Sequence, residues 1–595
     1  MFESRTKPTF GVASAAGAHT ASFRYQLVGW CELIANNVVK ARELNNHSDL
    51  IDQFLLDALT ASSELSCLDK VSLTRLLLCA DYILQLSEGA AEEPSANVVA
   101  ELERQVAEAI ADLETPDETL IPELEAQGAG YLPENRLAAI GPERFALIDT
   151  IVAQLVGIAG IMERALKLSV GARETLGYEA EGLIKHVATL RPKDRRERGP
   201  ELKEQAEELK RCVEEWGRKN RETLDGIVDA LAAIADPETT EEELYELMVK
   251  VGALYATALE LHEQGDLRKY GEPSPRGVLI TPNRKGYCIL YCGDNLDTLS
   301  ELLDQAEYHG VDVWTNGDAV SAHSYKVLYD RRRLAGHYAG SWRTRQDRLG
   351  AFPGGIIIDR TVIDEPDGSY APYTFSTTPT IWDSIETLPK NEDGTFDMTP
   401  AVRAAKDSPG FFRSPDAVKF PIGYGGEHLP MVVDKAARAY RDNALRQIVA
   451  VVGQDAPGDE NDYFSRLFSD VAEDSFMLAC GDVKFRFDVD NLATTSYGLS
   501  NLVDLGRERD ANALLRFAGD FARELDRSAA EVPIKFFVSL WSEASVALTF
   551  ALVAQGYRDI TVGPNPPECW TPEFIEELRT RFGIKIADEP EADLG

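Results

Sequence analysis

The sequence predicts an α + α/β protein: a helical bundle followed by two α/β units with mostly parallel sheets. Residues 20 to about 265 read as amphipathic helices. From Gly277 onward short apolar runs alternate with amphipathic ones, the pattern of strand–helix repeats. At about 150 residues per domain, the 595 residues allow three or four domains and several buried cores.

In the first half, Phe23–Leu44 has apolar residues at helical spacing. Gly89–Gly130 is acidic, contains Pro94, Pro116 and Pro122, and reads as a helical hairpin with exposed loops. Glu143–Leu176 is a long amphipathic run ending near Gly177. Glu201–Ile234 places Leu202, Ala206, Leu209, Val213 and Trp216 on one stripe and stops at Asp236-Pro237. Thr240, followed by three glutamates, is a good N-cap for the next helix. These stripes are bundle cores rather than cofactor boxes.

In the second half, strands are expected at Tyr287–Tyr291, Val311–Trp314, Gly355–Ile358, Gln447–Val452, Phe476–Ala479, Ile534–Leu540 and Asp559–Val562. Helices are expected at Leu296–Tyr308, Asn512–Leu525, Ala544–Gln555 and Thr571–Phe582. Residues 360–430, rich in Pro, Gly, Asp and Thr, read mostly as loop. The division is a helical domain at 1–270, a first α/β domain at 271–435 and a second at 436–595.

Net charge is −38, which argues against nucleic acid or an anionic membrane as partner, since phosphate binding needs a cationic surface. The longest apolar stretches, such as Ile151–Ile161, are too short to span a bilayer, and no signal peptide is visible, so a soluble cytoplasmic protein is expected. None of the eight cysteines sits in a Cys-x-x-Cys pair, and most read as reduced buried thiols.

Acids recur just past the predicted strand ends. Asp294, Asp318, Asp455, Asp482 and Glu543 each follow one, and a glycine precedes Asp294, Asp318 and Asp482. In open α/β sheets that edge binds ligands. Singly, each acid reads as a helix cap or solvated loop residue. Together they read as a site, because converging carboxylates need water, a proton, a cation or an arginine to relieve them.

At these residues the chain resembles the hybrid-cluster-protein family, also called hydroxylamine reductase or prismane. The resemblance rests on Ile289-Leu290-Tyr291-Cys292-Gly293-Asp294-Asn295-Leu296, Val313 to Tyr325, Phe352-Pro353-Gly354, Lys484-Phe485-Arg486-Phe487, Val503-Asp504-Leu505-Gly506, Leu540-Trp541-Ser542-Glu543 and Val562-Gly563-Pro564. It implies a helical domain and two Rossmann-like domains with the hybrid cluster between them. The family holds that cluster with one His, two Glu and four Cys. The His position falls on Asp294, the first Glu on Asp318, and the cysteines on Val362, Gln454, Asp482 and Glu508; only Glu543 is kept. A shifted alignment would put Cys480 in place of Asp482. The cysteines of the N-terminal cubane cluster are absent too, with Glu3 and Thr6 in their place.

Iron–sulfur clusters are held mainly by thiolates, so neither the 4Fe–4S cubane nor the hybrid cluster is expected. Asp294, Asp318, Asp482, Glu508 and Glu543 form a hard oxygen-donor set suited to Fe or Mn ions, mononuclear or dinuclear. Their carboxylates are expected to converge on one cavity between the α/β domains. Gln454 is read as a neutral ligand or hydrogen-bond donor, and His323 and Asp455 as proton-handling groups; Asp359 is a possible substitute for Val362.

Three readings follow. The first is a metal-dependent oxidoreductase acting on a small N–O, oxygen or peroxide species. The second is a cluster-free scaffold, regulatory subunit or sensor whose acids pair with Arg345, Arg348, Arg486 and Arg507. The third is a small-ligand binder using the vacated cavity. A redox or scaffold partner protein fits the first two.

Overall fold

The computed structural model describes residues 17–44, 49–64, 128–280, 284–338, 346–359, 367–378, 384–412, 418–455, 459–540 and 542–595, with isolated positions between these spans. The expected hairpin at Gly89–Gly130 lies almost wholly outside the described residues, as do Val362 and Arg345.

Five long helices build the first half: α1 (Gly17–Glu43), α2 (Asp49–Glu64), α3 (Pro142–Thr189), α4 (Pro192–Ala235) and α5 (Glu241–Tyr270). Two run further than the sequence suggests. α3 continues through Gly177, because one helical glycine costs only about 1 kcal/mol and the buried seam continues with Ala180 and Val187. α4 starts at Pro192 rather than Glu201 and carries Pro200 inside it. One missing backbone bond does not end a helix whose seam residues, Gly199 and Ala206, stay buried. α5 begins as expected, with Thr240 in a capping box: its hydroxyl accepts from the Glu243 N–H at 3.3 Å and its own N–H donates to the Glu243 carboxylate at 2.7 Å. α3 is long and apolar enough to cross a membrane by length and composition, but 94 % of its most apolar stretch is buried inside the fold, as in a core helix.

Among the described residues fourteen strands follow: β1 (Arg276–Leu279), β2 (Cys288–Cys292), β3 (Asp312–Asn316), β4 (Leu334–His337), β5 (Gly355–Ile358), β6 (Thr374–Ser376), β7 (Glu386–Thr387), β8 (Lys419–Ile422), β9 (Gln447–Val452), β10 (Ser475–Cys480), β11 (Leu502–Gly506), β12 (Ile534–Val538), β13 (Ile560–Val562) and β14 (Ile584–Ile586). One six-stranded sheet has the order β4-β3-β2-β5-β6-β7, the other β11-β10-β9-β12-β13-β14, and every pairing in both is parallel. Counted within each sheet this is 3-2-1-4-5-6 twice, the Rossmann order, with the switch point between strands one and four. β1 and β8 form a separate antiparallel pair.

The helical domain packs on the second α/β unit through the helix that follows β12. The helix after β12, α6 (Glu543–Ala554), is buried along almost its whole length. Two glycines make room for it. A Cβ on Gly157 of α3 would lie 2.7 Å from the Glu543 carbonyl oxygen, and one on Gly252 of α5 would lie 2.3 Å from that of Phe550. The small residues let backbones approach where side chains would hold them apart.

Candidate functional site at the strand ends

Parallel register puts the ends of the strands on one edge. Val452 pairs with Cys480 and with Val538, and Cys480 pairs with Gly506. The residues that follow therefore emerge side by side: Gln454 and Asp455 after β9, Asp482 after β10, Glu508 after β11, Glu543 after β12. Tight glycine turns bring the chain over this edge. Gly481 has φ +92°, and a Cβ there would strike the Gly453 carbonyl oxygen at 2.2 Å. In the first sheet Asp294 follows β2 and Asp318 follows β3, whose Tyr291 and Thr315 pair.

The two edges meet at Asp318 and Glu508. The backbone N–H of Glu508 donates to Asp318 Oδ2 at 3.0 Å. Asp318 Oδ1 is buried and has no hydrogen-bond partner among the described residues. Lys484 Nζ lies 4.0 Å away but is engaged with Asp504 Oδ1 at 2.6 Å and the Gly506 carbonyl at 2.8 Å. Burial raises the Asp318 carboxyl well above the usual carboxylate range; Lys484 opposes this, while Asp482 and Asp294 add to it.

Glu508 receives three neutral donors: Ser542 Oγ at 2.7 Å and Ser545 Oγ at 2.6 Å on Oε1, and Gln454 Nε2 at 2.9 Å on Oε2. Burial raises its pKa against these hydrogen bonds. Asp482 Oδ1 accepts from the Asp455 backbone N–H at 2.6 Å. Asp455 itself takes both arms of Arg486, at 2.6 and 2.8 Å. Asp294 pairs with Arg509, and Glu543 is buried at the first turn of α6. So Gln454, Asp318, Asp482 and Glu508 share one coupled centre, Asp294 is held by a guanidinium, and Asp455 is engaged by another. No three of the five carboxylates bring oxygens within 4.8 Å of one another; among the described residues that holds only for His262, Asp266 and Asp510.

His323 lies in the first domain, where its Nε2 and His337 Nδ1 are each 3.1 Å from Thr315 Oγ1. Burial pushes His323 down to about 3, so the ring is neutral near pH 7. Asp359 accepts from Tyr291 at 2.6 Å and from Thr377 at 2.7 Å, one hydroxyl on each oxygen. Arg348 is exposed.

The sequence gives no site role to Arg509, Asp510 or Asp266, and Lys484 and Asp504 enter it only through the family resemblance. Arg507, fully buried, donates to both oxygens of Asp510 at 2.8 and 2.6 Å, to the Asp294 carbonyl at 3.1 Å, and to Asp266 of α5. It thereby ties all three domains together. The alternating run Arg507-Glu508-Arg509-Asp510 directly after a strand-ending glycine was the available signal.

The donors here do not suit an iron–sulfur cluster. Two buried thiols end strands here, Cys292 of β2 and Cys480 of β10; Cys480 Sγ donates to the Arg507 carbonyl at 2.8 Å, and burial drives its pKa well above the usual thiol value. A neutral thiol held by a carbonyl is not a ligand set, and carboxylates and an amide are hard donors.

A helical domain packed on the second of two doubly wound α/β units, with a buried polar cluster where the carboxyl edges of their sheets meet, defines the class: a multidomain α/β protein. More narrowly, the chain belongs to the prismane/CO dehydrogenase family, whose model matches residues 184–594. It is 28 % identical over 380 residues to the hydroxylamine reductase of Acidithiobacillus ferridurans, covering 64 % of this chain and 67 % of that one. With that of Gloeothece citriformis it shares 28 % over 385 residues, 64 % and 69 % of the two chains. Among solved structures it resembles carbon monoxide dehydrogenase IV from Carboxydothermus hydrogenoformans, with a TM-score of 0.56 and 13 % identity over 76 % of this chain and 86 % of that one, a likeness of fold.

Proposed function

We propose that this chain is an oxidoreductase built on a carboxylate-bound metal centre, iron or manganese, in place of a sulfide cluster. Its substrate would be a small N–O species, dioxygen or peroxide; the hydroxylamine reductases among its relatives favour the first. The observation that carries this reading is Asp318: a buried carboxylate with one oxygen unpartnered, and with Lys484, 4.0 Å away, already engaged by Asp504. Such a group is costly until a cation or a proton relieves it.

For Asp318, Asp482, Glu508 and Glu543 to hold the metal, their carboxylates would have to draw together from the arrangement seen here, with Asp294 joining on release from Arg509 and Gln454 as a neutral donor. The metal would supply reversible electron transfer to a small bound molecule. The protein's own groups set the surroundings. Ser542, Ser545 and Gln454 fix Glu508, and Asp455 fixes Asp482 through its N–H while Arg486 holds Asp455 in place. His323 lends neutral hydrogen bonding through Thr315. The reading places the protein in the cytoplasm, with neither nucleic acid nor membrane as partner.

The test is metal content by mass spectrometry on protein purified without chelator, with an absorption spectrum. One or two equivalents of iron or manganese without sulfide absorption, lost in Asp318→Asn, is the expected result. Metal-free protein, or iron with acid-labile sulfide, would overturn it.

A second reading is a cluster-free scaffold, sensor or small-ligand binder. It is favoured by the guanidinium partners already present: Arg509 on Asp294, Arg486 on Asp455, and Arg507 on Asp266 and Asp510. Chelator distinguishes the two, since a centre neutralised by arginines keeps its melting temperature without metal.

A further inference from the structure

The α3–α4 hairpin reaches past the body of the protein. α5 flanks it as far as the Arg268–Glu179 and Lys219–Glu260 ion pairs. Beyond that level α3 runs on over residues 181–189 and α4 covers residues 192–209, about 14 Å and about 27 Å at 1.5 Å per residue. Among the described residues the hydrogen bonds and ion pairs of this outer part stay within it: Lys185–Glu181, and Arg195 capping the end of α3 through the Val187 and Leu190 carbonyls at 3.0 and 3.2 Å.

The outer hairpin is electrically divided. Its tip, residues 185–203, has seven Lys/Arg against three Asp/Glu, a net +4 in a chain of net −38. Just behind it lies an acidic band on both helices: 174–181 and 204–215 together carry eight Asp/Glu and two Lys/Arg, a net −6. Arg191, Lys193 and Arg198 on the tip are exposed. The band also shows apolar surface. Tyr178 is 76 % exposed, Ile184, between the band and the tip, is 40 % exposed, and Leu209, Val213 and Trp216 are only half-buried. Two helices alone cannot cover such a stripe.

We propose that this hairpin is a self-association surface that docks onto the same hairpin of a second copy of the chain. Laid side by side and antiparallel about a two-fold axis, each basic tip meets the other copy's acidic band. That is the self-complementarity an isologous interface requires. The exposed tyrosine and isoleucine and the half-buried stripe are covered in the same step, giving an apolar centre with a charged rim. No acidic partner of another kind has to be invoked, because the acid band that fits the tip is part of the same element. The inference is independent of what the centre between the sheets binds.

The test is sedentation-based mass measurement of the full chain by analytical ultracentrifugation at about 50 mM and about 500 mM salt, conditions across which screening of exposed charge rises steeply. A dimer at low salt that weakens at high salt is expected. Arg191→Glu, Lys193→Glu and Arg198→Glu together should weaken association by about tenfold or more, equivalent to about 1.4 kcal/mol, with an unchanged circular dichroism spectrum. Adding Glu204→Lys, Glu207→Lys and Glu208→Lys to that variant should restore the dimer. A wild-type monomer throughout, or a dimer indifferent to tip reversal, overturns the proposal. So does a monomer that binds anionic vesicles or duplex DNA through the tip, which would give that surface a polyanionic partner.

Discussion

Asp318, at the end of a strand in the first sheet, accepts a 3.0 Å hydrogen bond from the backbone N–H of Glu508, at the end of a strand in the second. This contact joins the two carboxyl edges and uses only one oxygen of the acid. The other oxygen is buried beside a lysine that belongs chiefly to Asp504.

Asp318→Asn in metal-stripped protein should therefore stabilise the fold at neutral and alkaline pH. The folded-state pKa lies above the ordinary carboxylate value near 3.9, so the folded chain binds the proton more tightly than the unfolded one. The stability linked to that proton is fully present below the unfolded pKa and is lost as pH rises through the folded value. The gain from Asn should shrink toward pH 4. Urea melts across pH 4–8 measure it; a variant less stable than wild type at pH 8 without metal would contradict the assignment.

Arg507→Met should be costly. It leaves Asp266 and Asp510 facing a buried thioether and removes the tie to the Asp294 carbonyl. Breaking a buried pair by removing one partner costs about 3–5 kcal/mol. A loss under about 1 kcal/mol in chemical denaturation, within the range of an exposed pair, would refute this.

Gly252→Ala and Gly160→Ala should move stability in opposite directions. At Gly252 the new methyl meets the Phe550 carbonyl at 2.3 Å, so α5 and α6 must part, costing about 1–3 kcal/mol. At Gly160 nothing lies within 4 Å, and the better helix former should gain about 0.5–1 kcal/mol. Melting temperatures of the two variants settle the comparison.

Acid should destabilise the first α/β domain through His323. Burial holds its folded pKa at about 3, against about 6.5 when unfolded. The stability linked to the neutral ring is present above the unfolded pKa and lost as pH falls toward the folded one. Between pH 6 and 4, His323→Gln should reduce the slope of stability against pH by about 1.4 kcal/mol per unit. Part of the slope remains, because burial also lowers His337 well below the ordinary value. An unchanged slope would show the ring accessible to solvent.

Much of the α/β half is legible in sequence because buried parallel strands are short apolar runs. Gly355–Ile358 and Gln447–Val452 fall where the pattern places them. Leu502–Gly506 does not, because it carries Asp504 in its interior. That aspartate is held by Lys484, which approaches from the turn after a neighbouring strand, and by the backbone N–H groups of Gly423 and Gly506. The helix ends at Gly177 and Glu201 mislead for a related reason: glycine and proline weaken a helix locally, but the facing helix supplies the burial that carries it on.

The sequence by itself determined that helices come first and α/β units follow, the family, and a row of carboxylates where thiolate ligands would be expected, because period and residue chemistry are written along the chain; it did not determine every element, since 360–430, read mostly as loop, holds three strands and the helix Thr399–Asp407. Which acids have a cation beside them was decided by tertiary structure alone. Arg507 finds Asp266 across 241 residues, and Glu508 finds Asp318 across 190. Electrostatic pairing depends on distance and burial, and neither exists until the two sheets and the helical domain have closed on one another.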